Sequence, residues 1–180
     1  MKLSRVLTLL IVLSFVGINL YAQSDTKPVK KPFKERLVFG GGATLNFSNI
    51  QTAVGISPMV GYRVTDRYIA GIGLSYLYLS GRDYKANNYA ASIFNRFSVT
   101  EELFLHAEME YGTSQVTLES LLGDQKYSVE YPAFLVGGGY RQSGGSGIGL
   151  SITVLYDVLQ DRNSPYQQGL VYRGGVFFGF

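Results

Sequence analysis

From residue 36 to the last residue, large apolar side chains recur at every second position, over segments long enough to be strands and with no helical spacing between them. Eight segments follow from this pattern: 36–46, 52–63, 67–79, 88–99, 103–114, 127–141, 147–158 and 169–180. In the first, Leu37, Phe39, Ala43 and Leu45 share one face; in the second, Val54, Ile56, Pro58, Val60 and Tyr62 do. Tyr68, Ala70, Ile72, Leu74, Tyr76 and Tyr78 line one side of the third, although Leu77 and Leu79 blur its contrast. The fifth sets Leu103, Leu105, Ala107, Met109 and Tyr111 against His106, Glu108 and Glu110. The seventh sets Ile148, Leu150, Ile152, Val154 and Tyr156 against Gly149, Ser151, Thr153 and Asp157. The fourth is mixed, with Ser92, Phe94 and Arg96 on one face and Ile93, Asn95 and Phe97 on the other. Pro132 and the run Gly137-Gly138-Gly139 disturb the sixth, where a bulge would reverse part of the alternation; Arg141 is assigned inward on polarity alone.

One face is bulky and apolar; the other is small, glycine-rich and charged. The bulky set would overfill an eight-stranded interior, which is only wide enough for packed side chains. Turned outward, it forms a belt for lipid. The pattern therefore predicts an all-β protein: an eight-stranded, antiparallel, up-and-down transmembrane β-barrel. A strand of ten residues, tilted about 40°, spans roughly 25 Å, the thickness of the apolar band of such barrels. In hydrocarbon every amide needs a partner, so the sheet must close. The connections 65–66, 100–101 and 142–146 are short turns; Ser80–Asn87, Thr113–Lys126 and Leu159–Gln168 read as longer polar loops, with Ser48–Gln51 a short one. This asymmetry places both termini and the short turns in the periplasm.

Aromatic residues fall near both ends of the outward face. Tyr76, Tyr78, Tyr111, Tyr156 and Tyr172 lie toward the loops, and Tyr62, Tyr68, Phe97, Phe178 and Phe180 toward the turns. Such rings prefer the headgroup level, so the ten form an expected girdle. Inside, Arg63, Arg96, Arg141 and Arg173 can meet Glu108, Glu110 and Asp157. The expectation is an ion network centred on Glu108, Asp157 being peripheral, with glycines leaving room for the long side chains.

The N-terminus changes the picture of where the chain goes. Lys2 and Arg5 precede an apolar stretch from Val6 to Leu20, and Tyr21-Ala22-Gln23 follows, the layout of a cleaved signal peptide over residues 1–23. Residues 24–35, with Lys27, Lys30, Lys31 and Lys34 and two prolines, read as a flexible periplasmic segment before a barrel over 36–180. The signal peptide holds two of the 16 basic residues, which leaves 14 against 13 acidic ones, a net +1. No basic stripe suits nucleic acid. The chain has no cysteine, hence no disulfide and no thiolate metal site.

Candidate chemistry is sparse. His106 is the single histidine; with Glu108 and one of the hydroxyls of Ser92, Ser151 or Thr153 it supplies the residue types of a hydrolase, but their mutual geometry is not set by spacing. His106 and Glu108 are too few to ligate a metal, and no cofactor is expected. The preferred reading is a non-enzymatic barrel with a structural or adhesion-like surface role and a plugged interior. A lipid-modifying outer-membrane hydrolase, a narrow channel and a soluble ligand-binding barrel of the lipocalin kind stay open.

Three stretches resemble a known family. "SPMVGYRVTDRYIAGIGLSY" (Ser57–Tyr76), "FNRFSVTEELFLHAEMEYG" (Phe94–Gly112) and the ending "GGVFFGF" are similar to small outer-membrane β-barrel proteins of Bacteroidetes type, akin in fold to the eight-stranded OmpX and OmpA barrels. The resemblance covers about 36–180 and carries no activity. It implies insertion into the outer membrane among its lipids and lipopolysaccharide, with both termini periplasmic. It also implies recognition of Val176, Phe178 and Phe180 by the barrel-assembly machinery, and a monomer whose external loops can meet an unidentified surface ligand.

Overall fold

The computed structural model describes residues 32–47, 51–118, 125–144, 147–166 and 169–178. Eight strands, β1 (Leu37–Phe47), β2 (Gln51–Arg63), β3 (Tyr68–Gly81), β4 (Tyr84–Ser98), β5 (Leu103–Leu118), β6 (Gln125–Ser143), β7 (Ile148–Asp157) and β8 (Leu170–Phe178), pair in chain order. β1 meets β8, antiparallel, from Phe39 opposite Phe178 to Thr44 opposite Arg173, and closes the barrel.

The alternation sorts the two faces as its chemistry demands. Leu150 and Ile152 are 62% and 63% exposed, whereas Glu108 and Arg173, on the other face of their strands, are 4% and 5% exposed. Ile56, Ile72, Leu74, Ile93 and Leu105 join the outward set. An exposed apolar surface running round a closed sheet is a lipid-facing one, and it excludes a soluble barrel, whose wall would be polar. β4 resolves cleanly: Ser92, Phe94 and Arg96 are buried and Ile93, Asn95 and Phe97 exposed.

Two of the turns are built alike. In Val64-Thr65-Asp66-Arg67 the Thr65 hydroxyl oxygen accepts from the amides of Arg67 (3.3 Å) and Tyr68 (3.0 Å). In Val99-Thr100-Glu101-Glu102 the Thr100 oxygen accepts from Glu102 (3.2 Å) and Leu103 (2.9 Å). Each turn's last carbonyl then takes an amide of the next strand pair, Ser98 N to Arg67 O and Arg141 N to Glu102 O, both at 2.7 Å. The third turn ends on Gly147, whose φ of +75° suits glycine.

Four expectations are corrected. The stretch Ser80–Asn87 is not a long loop: β3 and β4 continue to Ser80 opposite Lys85, and only Arg82 and Asp83 lie between the strands. Likewise β5 and β6 continue to Leu118 opposite Gln125. The strands are polar there because their chemistry inverts. Beyond Tyr89 and Tyr111 the outward positions are Lys85, Asn87, Thr113, Gln115 and Glu130, and the inward ones include Ala86, Val116 and Tyr131. That is the pattern of a sheet in water, apolar inside and polar outside.

The bulge considered at Pro132 does not occur; β5–β6 pairing runs through Tyr111 opposite Pro132 without a break. The Phe134 amide points to the β7 side, where the Asp157 carboxylate accepts it at 3.0 Å. Pro132, two residues on, would also donate to that side, but β6–β7 pairing stops at Leu135 opposite Asp157, so its missing N–H costs no rung. The interrupted ladder is at Pro58 instead: β2–β3 pairing skips from Ile56 opposite Tyr76 to Met59 opposite Gly73.

Third, the flexible leader ends before residue 35, because Phe33–Arg36 form a short 3-10 turn and the Phe33 ring stacks on Tyr62 at 5.3 Å. Residues 1–31, with the signal peptide, lie outside the described residues.

Fourth, the interior glycines do not mainly serve charged side chains. A Cβ at Gly139 would sit 2.5 Å from Phe104 Cζ, one at Gly149 2.0 Å from Phe177 Cζ, and one at Gly71 2.6 Å from Phe94 Cζ. These rings press against a bare wall.

Candidate functional site

The enclosed side chains form layers, ordered by where each strand's inward positions fall. At the turn end, Val38, Ile69 and Phe94 pack as an apolar cluster with Met59 against it, and Phe104 and Phe177 are buried on neighbouring strands. At the loop end a larger cluster holds Ala53, Leu77, Leu79, Ala86, Tyr131, Ala133, Leu135, Leu155, Tyr166 and Val171. The ionic layer lies between.

At its centre, Arg173 of β8 donates from Nη1 to Glu108 Oε2 of β5 at 2.6 Å and reaches Glu110 Oε2 with Nη2 at 3.8 Å. His106 Nε2 lies 3.2 Å from the same Glu108 oxygen. Glu110 also accepts from Ser75 (3.2 Å), Tyr131 (3.3 Å) and Tyr166 (2.9 Å). Each carboxylate is thus enclosed together with donors, as burial of charge requires.

Of the seven charged residues assigned to the interior network, Glu108, Glu110 and Arg173 come together. Arg96 does not reach a carboxylate at ion-pair distance among the described residues; its guanidinium lies 4.4 Å over the Phe104 ring, with Nη2 3.9 Å from Met59 Sδ. Arg63 and Arg141 are half-buried at the turn end, and Arg141 Nε donates to the Glu101 carbonyl at 2.7 Å. Asp157 is corrected from a peripheral network member to a loop anchor. Its carboxylate accepts from Phe134 N (3.0 Å), Leu159 N (3.1 Å) and Ser164 Oγ (2.9 Å). The physical reason is local. β6 runs past the end of β7, and Asp157 takes the amide that the strand no longer pairs.

The segment after β7 folds over the mouth. Gln160 Nε2 donates to Asp157 O at 2.6 Å, Asn163 Nδ2 to Glu130 O at 3.2 Å, and Tyr166 inserts its ring among the upper apolar cluster with its hydroxyl on Glu110. Burial and the Glu110 carboxylate push the Tyr166 phenol's pKa up, so the group stays a donor. Tyr166 and Ser164 were missed in the sequence, where they sit in a polar stretch with no periodicity. Tyr131 had a signal: it shares a face with Ala133 and Leu135.

Of the candidate hydrolase residues, Ser92, His106, Glu108 and Thr153 are buried between the two apolar clusters, and Ser151 is half-buried. Among the described residues, no group of three metal-ligating side chains converges.

The girdle positions all face outward where they are described. Phe97, Tyr111, Tyr156, Tyr172 and Phe178 are exposed, and Tyr62, Tyr68, Tyr76 and Tyr78 half-buried. Tyr89 and Tyr140 belong to the same face and were not foreseen; Tyr89 packs on Tyr76 with ring centres 5.2 Å apart. Phenol tips are satisfied locally, Tyr68 on Asn95, Tyr76 on Asn87 at 2.8 Å and Tyr111 on Glu130. Val176 and Phe178 face outward on β8; Phe180 lies outside the described residues.

No protein-family model matches the chain, and no curated protein matches it. Among solved structures, it is similar to the crystal structure of Ail, the attachment invasion locus protein of Yersinia pestis, at 10% identity and a TM-score of 0.52, covering 79% of this chain and 94% of that one. The same outer-membrane protein in a phospholipid bilayer nanodisc matches at 12% identity and 0.50, covering 79% and 97%. The N-terminal barrel domain of Pseudomonas aeruginosa OprF gives 16% and 0.46, covering 79% and 96%. The likenesses to Ail concern the fold alone. It is the closed eight-stranded sheet with its lipid-facing wall that makes the chain an outer-membrane barrel, with termini, on the side of the short turns, in the periplasm.

Proposed function

We propose that this barrel is a closed, non-enzymatic outer-membrane platform, and that its surface role is carried by the part of the sheet standing above the outer leaflet. The observation behind this reading is the inversion of β3–β6. These strands run 14, 15, 16 and 19 residues, against 10 and 9 for β7 and β8. About seven residues of β6 beyond Pro132 add roughly 18 Å of height. On the inner face of this projection Leu118 and Tyr127 remain 39% and 47% exposed, an apolar surface outside the lipid, which marks a contact site. That a barrel of this fold bears the name attachment invasion locus protein suits an adhesion-like role. The Bacteroidetes-type motifs support the same placement among outer-membrane lipids and lipopolysaccharide, with delivery by the assembly machinery through Val176, Phe178 and Phe180, and a monomeric state.

The test is attachment of intact cells to a panel of immobilised matrix proteins and polysaccharides. Leu118→Ser with Tyr127→Ser should reduce attachment at least several-fold while the barrel still folds. Undiminished attachment, together with stepwise conductance in planar bilayers, would instead favour the narrow channel. The apolar layers above and below the ions argue against that outcome, since a conducting path needs water or polar lining throughout.

A further inference from the structure

Arg96 presents an unbalanced feature. It is a guanidinium 8% exposed, at the level of the membrane-spanning wall, and it contacts a thioether and an aromatic face. Among the described residues its Nε has no hydrogen-bond partner. Neither has Arg173 Nε, nor His106 Nδ1, both on residues at least nine-tenths buried. A buried charge without a counter-charge is costly, and each orphaned buried donor adds to the cost.

All three residues line one partly enclosed cavity of about 30 Å³, walled by Gly40, Gly41 and Gly42 of β1 and closed toward the turn end by Phe94 and Phe177. That is room for one or two water-sized particles. The ring nitrogens of His106 are already divided: Nε2 faces Glu108, which leaves Nδ1 for the cavity. We propose that this cavity is a binding site for a monoatomic anion of halide size, held by Arg96 Nε, Arg173 Nε and a protonated His106 Nδ1.

Arg96 and Arg173 match Glu108 and Glu110 in number, but only Arg173 touches them; a halide taken up together with a proton on His106 keeps the enclosed layer neutral and gives Arg96 a counter-charge at contact distance. A cation is disfavoured by Arg96 and Arg173, and a larger oxyanion by the volume.

Bromide serves as the probe, because it is chloride-like and visible by anomalous diffraction. A crystal of the full chain grown in sodium bromide should show an anomalous peak in the cavity between Arg96 and Arg173. In detergent, bromide compared with gluconate at equal ionic strength should raise the folding constant about tenfold when bromide stands at ten times its dissociation constant. Arg96→Met removes the uncompensated charge and should fold, yet lose the bromide dependence. Gly42→Ala provides an independent arm. Its Cβ would meet Gly174 O at 3.4 Å and Arg173 side-chain atoms at 3.6 and 3.8 Å, ordinary contacts that leave the arginines in place while narrowing the cavity, so it too should lose the response. A water in place of the anomalous peak, with equal stability in bromide and gluconate, overturns the proposal; so does a bromide response that survives in both variants.

Discussion

At the scale of single residues, Glu108 carries the most consequence, because two groups depend on one of its oxygens. Replacing it with glutamine leaves Arg173 buried beside a neutral partner, and the loss should be about 3–5 kcal/mol, read from urea unfolding of the barrel in lipid vesicles. Arg173→Met in the same background should recover part of that loss, since the orphaned charge is then removed as well. On the other face, Ile152 is the cleanest probe of orientation. Ile152→Lys should cost about 2–4 kcal/mol near mid-membrane, whereas lysine at Gln115, outward on the projection, should be nearly neutral. Equal effects at the two sites would contradict the inversion of the strands. Tyr166→Phe deletes one hydrogen bond to a buried carboxylate and should cost about 1.5–3 kcal/mol, with faster proteolysis of the segment after β7.

At the scale of elements, the two prolines make opposite predictions. Pro132 sits where β7 has already ended, so Pro132→Val should change stability little. Pro58 lies within a ladder that skips it, so Pro58→Val should restore a rung and gain about 0.5–1.5 kcal/mol. Swapping the two expectations in an unfolding experiment would show that the register of β2 or β6 is misplaced. The sequence pointed to the wrong proline, because a proline's cost depends on which neighbour its nitrogen faces, and alternation along one strand says nothing about where the next strand stops. For the same reason Asp157 was legible as inward but not as an anchor: its role comes from the unequal lengths of β6 and β7. Strand count, order and face were readable because a lipid-facing wall imposes a two-residue period that chance does not sustain over eight segments. The period kept going past Asn88 and Ser114, but its chemistry changed sign there, and polar outward residues looked like loop. Tyr166 had no period to betray it. The interior charges were visible from parity, yet their pairing was not, since it depends on register: Glu108 stands opposite Phe94 and Leu135, and Arg173 reaches it from across the barrel.

For the whole molecule, closure by β1 and β8 leaves the membrane part with no free edge. The folded form should therefore resist sodium dodecyl sulfate at room temperature and change gel mobility on boiling; a single mobility under both conditions would argue against a closed barrel. Its stability rests on three stacked interior layers rather than on disulfides, as the chain has no cysteine.

The unequal heights of the strands give the rim a slope. β4, β5 and β6 rise on one flank, while β7 and β8 stop low and the segment bearing Tyr166 bridges the gap. A visitor descending along the bilayer normal would strike the raised flank edge-on; one travelling parallel to the surface, from the low side, would face Leu118 and Tyr127 directly. Recognition at this parapet is thus directional, and neighbours in the crowded plane of the outer leaflet can mask or reveal it simply by how they turn.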